Sequence, residues 1–123
     1  MCCCGRKGNA NSMNGMDKKW AFTEFLGNAE DVQCALGELR ECGLLVGNVS
    51  GNEVKGNKRF VQYYVCGTEV SRLEEPVAEV YNRIAVAHHV CIEYTFMGQD
   101  CQSFPRDGKD TFSVKYWEWW IAD

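Results

Sequence analysis

Two stretches of this chain carry apolar residues at helical spacing, and each is bracketed by short runs rich in aromatic and β-branched residues. That alternation leaves few architectures open. In the first stretch Val32, Ala35, Leu36, Leu39 and Cys42 recur on one side, while Gln33, Glu38, Arg40 and Glu41 face away. Asn28 is placed to cap this helix, Glu30 and Asp31 suit the positive end of its dipole, and Gly43 suits the left-handed residue that closes it. In the second stretch Val77, Val80, Tyr81, Ile84, Ala85 and His88 mark one side against Glu79, Asn82 and Arg83. A proline is tolerated in the first turn of a helix, so Pro76 predicts a start near Glu74 or Glu75.

The runs between the helices read as strands. Residues 19–26 are aromatic and stopped by Gly27-Asn28, residues 44–49 are apolar, and residues 59–66 are aromatic and β-branched. The Gly-Asn dipeptides between Ser50 and Lys58 predict a hairpin with a long, mobile tip. Val90, Ile92, Tyr94 and Phe96 alternate with Cys91, Glu93, Thr95 and Met97, as a half-buried strand does. Gly98 to Asp110 reads as a loop, and a last strand is expected from Thr111, where Phe112, Val114 and Tyr116 alternate with polar residues. The alternation breaks at Trp117-Glu118-Trp119-Trp120-Ile121, which predicts a bulge or a second buried surface.

The expected fold is therefore α+β, a two-layer sandwich with two helices on one face of an antiparallel sheet. Its element order resembles the ferredoxin-like βαββαβ plan with a C-terminal strand added. That plan hosts many unrelated functions, so it implies none here. A length of 123 residues fits one domain, expected over residues 18–123. Residues 1–17 are Cys-, Gly- and Asn-rich without apolar periodicity, and read as a disordered tail or a start assigned too early. The rival reading of Cys2-Cys3-Cys4 beside Arg6-Lys7 as an acylated anchor lacks the supporting glycine after Met1.

Charge and cysteine usage exclude several functions. Arg6, Lys7, Lys18 and Lys19 against Asp17 give residues 1–19 a charge of +3, leaving nine basic and sixteen acidic side chains, −7, on the remainder. A body of that sign repels phosphate backbones and anionic lipid surfaces, so neither nucleic acid nor membrane is an expected partner. Of eight cysteines, three lie in the tail. The odd remainder (Cys34, Cys42, Cys66, Cys91 and Cys101) without any Cys-x-x-Cys pair reads as reduced thiols in a cytoplasmic protein, with no disulfide scaffold and no metal site.

The motifs that carry chemistry are few. Leu45-Val46-Gly47-Asn48-Val49 resembles the first-strand motif of RNA-recognition domains, but only nine residues separate it from Arg59-Phe60-Val61-Gln62-Tyr63, too few for the helix and strand that family places there. The glycines of this region match no phosphate-binding loop. His88, His89, Cys91 and Glu93 form the one reactive cluster: imidazole as base, thiolate as nucleophile. The bland alternative makes His88 a core-edge residue and His89 a cation at a helix end. The bland alternative is preferred, with no catalytic residue assigned and no cofactor expected.

The aromatic block outweighs these. A strand apolar on both faces needs a cover, whether a second subunit, a ligand or the 98–110 loop, and a homo-oligomer is the simplest. The expected function is non-enzymatic binding of a small molecule or protein where Tyr63, Tyr64, Trp117, Trp119 and Trp120 gather, with Arg59, Arg83 and Arg106 contacting an anionic ligand. A small enzyme and a partner-docking protein are the alternatives. The small chain without a catalytic motif also suits an accessory protein of a phage or mobile element.

Overall fold

A computed structural model describes residues 19–106 and 117–122. The elements are β1 (Trp20–Asn28), α1 (Ala29–Glu41), β2 (Asn48–Lys55), β3 (Lys58–Cys66), α2 (Glu75–His88), β4 (Cys91–Phe96) and β5 (Asp100–Phe104). Residues 117–121 form a further short helix. The strands make one sheet in the order β2-β3-β1-β4-β5, and every neighbouring pair is antiparallel. The class is mixed α+β.

Both long helices form where the periodicity places them. Val32, Ala35, Leu36 and Leu39 of α1 are buried, as are Ala78, Tyr81, Ile84 and Ala85 of α2. They meet Ala21, Phe25, Val61, Tyr63, Ile92 and Phe104 from one face of the sheet in a single core. Gly43 closes α1 at φ 75°, with the Leu44 N–H donating to the Leu39 carbonyl and the Gly43 N–H to that of Arg40, both at 3.0 Å. This is the paired bond that a left-handed residue after a helix makes possible. Cys42, expected on the apolar stripe, is instead the exposed cap residue. α2 carries Pro76 in its first turn and ends at His89, which is left-handed at φ 56° without being glycine.

The region between the helices departs from the expectation. Leu44 and Leu45 pack at the core margin rather than in a strand, and β2 starts only at Asn48. The hairpin tip is not long: β2 and β3 pair up to Lys55 and Lys58, leaving Gly56 and Asn57 as the turn. Gly51 sits inside β2 at a shift of register after Val49. An edge strand absorbs such a glycine as a bulge, which is why turn-like composition here hid a strand.

The C-terminal third is corrected as well. Within the supposed 98–110 loop, β5 pairs with β4 and buries Phe104 opposite Ile92. The connection is the three-residue turn Met97-Gly98-Gln99, its first two residues at positive φ, the twist that suits a tight hairpin. The strand expected from Thr111 to Tyr116 lies outside the described residues, as does the boundary at residue 17. Residues 117–121 are helical, so the aromatic block is not a strand. Trp117 and Trp120 are three apart and turn inward while Glu118 and Ile121 are exposed, a spacing that also satisfies a helix. Among the described cysteines, Cys34, Cys42, Cys91 and Cys101 are outside any disulfide, whereas Cys66 is disulfide-bonded, against the expectation of reduced thiols throughout.

Gly47 is the tightest backbone position. It lies at φ 126°, and a Cβ there would stand 2.4 Å from Val65 Cγ2 and 2.8 Å from the Tyr64 carbonyl oxygen. Gly47→Ala is expected to lower stability by about 3 kcal/mol, read as a fall in the urea midpoint at unchanged slope.

Candidate functional site

The two faces of the sheet have different chemistry, set by alternation along β1. Ala21, Thr23 and Phe25 point toward the helices, and Phe22, Glu24 and Leu26 toward the other side. On the helix side the packing leaves a cleft of about 660 Å³. Its floor is Ala21 and Thr23 of β1, Val65 of β3 and Tyr94 of β4, and its walls are residues 44–46, residues 67–73 and the first half of α2. The Gly67 N–H donates to the Lys19 carbonyl at 2.9 Å and the Val70 N–H to the Gly67 carbonyl at 3.2 Å, which hold the connection between β3 and α2 in place.

Five hydroxyl-bearing residues line the cleft, of which Thr23, Tyr81 and Tyr94 are buried and Thr68 and Ser71 exposed. The Tyr81 hydroxyl donates to the Leu44 carbonyl at 3.4 Å, and the Tyr94 hydroxyl to the Ser71 carbonyl at 2.9 Å. Burial pushes the Tyr81 phenol up to about 12, with a hydrogen bond from Thr23 acting in the opposite sense. Burial raises Tyr94 too. A concave, mainly apolar site of this size with a few placed polar groups is the usual form of a small-molecule site.

The aromatic residues singled out from the sequence do not gather there. Tyr63 lies on the helix side, buried, its hydroxyl accepting from Arg40 Nη2 at 2.6 Å. Tyr64 lies on the opposite side, 4.7 Å from Phe22 and 6.3 Å from Trp20 between ring centres. Trp117 and Trp120 stack on Phe60 at 5.6 and 5.9 Å, and Trp120 packs with Leu26 and Cys91. Trp119 takes a hydrogen bond from Lys58 on its carbonyl, with the same ammonium 4.8 Å over its ring. The block thus covers one end of the opposite face itself, where a strand needing cover was expected.

The arginines are placed elsewhere too. Arg59 donates to Gln33 at 3.0 Å, Arg83 lies 3.5 Å from Glu38, and Arg106 holds Glu75 with two bonds of 2.6 and 3.2 Å. None lines the cleft.

The reactive cluster is dispersed. His88 reaches α1, with Nε2 2.7 Å from Glu38 Oε1, and that bond holds the Glu38 carboxyl below the usual range. His89 is the left-handed cap of α2. Cys91 lies beneath Trp120 on the far side of the sheet from α2, and Glu93 shares that side, as alternation predicts. No group of three or more His, Cys, Asp or Glu among the described residues is placed to hold a metal ion.

Sequence reasoning passed over Thr23, Tyr81 and Tyr94. The available signal was three hydroxyl-bearing side chains on the inward side of β1, α2 and β4, where an all-apolar choice would suffice for packing. It also passed over the polar row across the opposite face. There Gln62 Nε2 donates to Glu24 Oε2 at 2.6 Å, Glu24 stands directly opposite Glu93, and the Ser103 hydroxyl donates to Glu93 at 3.4 Å. Burial, then the charge of Glu93, lifts the Glu24 carboxyl above its ordinary value, against the bond from Gln62.

No protein-family model, curated protein or solved structure matches the chain. No helix among the described residues is long and apolar enough to cross a membrane.

Two predictions follow from the opposite face. Because Glu24 is raised in the folded state, its contribution is most favourable below the ordinary value near 4.5 and is lost as pH rises through the raised one. Glu24→Gln keeps an acceptor for Gln62 and is expected to gain about 0.5–1 kcal/mol at neutral pH and nothing in acid, in urea titrations from about pH 4 to 7. Trp120→Ala, at a site 7% exposed, is expected to cost about 3–5 kcal/mol in the same measurement.

Proposed function

We propose that this chain is a non-enzymatic binding domain whose ligand is a small molecule held in the cleft between the sheet and α2. The observation that carries this is the placing of Thr23, Tyr81 and Tyr94 together in a largely apolar hollow of about 660 Å³, with Thr68, Glu69 and Ser71 as its other polar side chains. The separation of His88 from Cys91 and Glu93 supports the non-enzymatic reading, since a base and a nucleophile act only within hydrogen-bond reach.

For the fold we infer the ferredoxin-like plan with an added edge strand. The order β2-β3-β1-β4 supports it: β1-α1-β2 and β3-α2-β4 are then two interleaved β-α-β units, and β5 is the addition. Cytoplasmic residence belongs to the same proposal and is supported by the four described cysteines that form no disulfide, while the disulfide at Cys66 weighs against it. A role as an accessory protein of a phage or mobile element rests on the small acidic chain alone and adds no mechanism.

Self-association is a second reading, favoured by the half-buried cluster of Trp20, Phe22 and Tyr64 on the side that α1 and α2 leave alone. Native mass spectrometry of the gently purified chain separates a multiple of the chain mass from the single mass.

The cleft is tested with N-phenyl-1-naphthylamine, a neutral apolar dye that brightens on leaving water. Saturable one-to-one binding is expected, and Val46→Trp, which adds bulk at an exposed lining position, is expected to weaken it at least about tenfold. Binding that is absent, or indifferent to this substitution with folding intact, sinks the assignment.

A further inference from the structure

We propose that the cleft selects a neutral, apolar molecule that donates a hydrogen bond through an N–H or O–H group, and turns away anions. This rests on the cleft being the binding site and adds the class of its ligand.

A hydroxyl has one proton to give and two lone pairs to offer. In this cleft the protons of the buried hydroxyls are already committed to the protein. Tyr94 gives its proton to the Ser71 carbonyl at 2.9 Å and Tyr81 gives its own to the Leu44 carbonyl at 3.4 Å, while Thr23 is hydrogen-bonded to Tyr81. What faces the hollow from these groups is therefore lone pairs. At these buried groups a ligand donor finds acceptors in place, whereas a ligand acceptor has to take a proton from a carbonyl that then loses its partner; the other two lining hydroxyls, Thr68 and Ser71, lie on exposed residues at the rim. The longer Tyr81 bond is the one such a ligand would contest, and leaving the Leu44 carbonyl unbonded at the core margin opposes the exchange.

Charge points the same way. Among the described residues, the one ionised side chain lining the cleft is Glu69, which is exposed. Arg59, Arg83 and Arg106 are engaged with Gln33, Glu38 and Glu75 away from it. A carboxylate or phosphate entering the cleft would lose water and find no cation lining it among the described residues, a loss that buried charges do not recover without a partner.

Indole and benzofuran differ in little but N–H against O, and benzoate adds the charge. Each is titrated into the full chain while the amide resonances of the cleft residues are followed by NMR. Indole is expected to shift them saturably, benzofuran to bind at least about tenfold more weakly, and benzoate to leave them unmoved. Thr23→Val and, independently, Tyr94→Phe are expected to pull the indole-to-benzofuran affinity ratio toward one. If Thr23→Val does not fold, Tyr94→Phe decides. Benzofuran binding as tightly as indole, benzoate binding as tightly as either, or a ratio indifferent to the folded variants overturns the donor rule and leaves the cleft standing. Failure of all three probes to move the cleft resonances up to their solubility overturns the cleft itself.

Discussion

β1 is hydrogen-bonded along both edges, to β3 and to β4, and so each of its side chains is fixed to one side of the sheet or the other. Phe25, 0% exposed, anchors the helix side against Tyr63, and a slip by one residue would exchange it for Glu24. That is a large penalty for a wrong register, and it sets the rest. The same alternation that commits Phe25 to the core places Thr23 in the cleft and sends Glu24 and Leu26 to the far face.

The cleft exists because α2 is steered away from part of the sheet. Its N-terminal half is approached by residues 67–73 and by the turn after α1, and these stand off the strands with hydroxyls and backbone carbonyls between them. Tyr81 and Tyr94 also touch each other at 6.4 Å between ring centres, nearly perpendicular, so the two residues that line the hollow belong to the core as well. The polar ends are thus held by packing that would be present with or without a ligand.

The parts of this architecture readable from the sequence are those with a period long enough to count. α1 and α2 were legible from apolar spacing over three turns or more, together with Gly43 and Pro76. β3 and β4 were legible from dense β-branched and aromatic residues. β2 and β5 were not, because edge strands bury little and tolerate glycine, asparagine and serine: β2 is exposed or half-buried along its whole length. The block from Trp117 to Ile121 defeated the reading for another reason. Five residues apolar at nearly every position fit both periods, and only contact with Phe60 and Leu26 chooses the helix. The cleft was legible least of all, since its hydroxyls come from three elements distant in the chain.

The paired carboxylates of Glu24 and Glu93 have a bearing on assembly. They lie between the Trp20–Phe22–Tyr64 cluster and the Trp117–Trp120 cover, in the middle of the face on which two copies would most readily meet. A twofold axis through that face would bring both pairs together, four acidic groups across one seam. Were two copies to meet there, the repulsion of these carboxylates would oppose the joint, so the aromatic surface alone would not make it permanent.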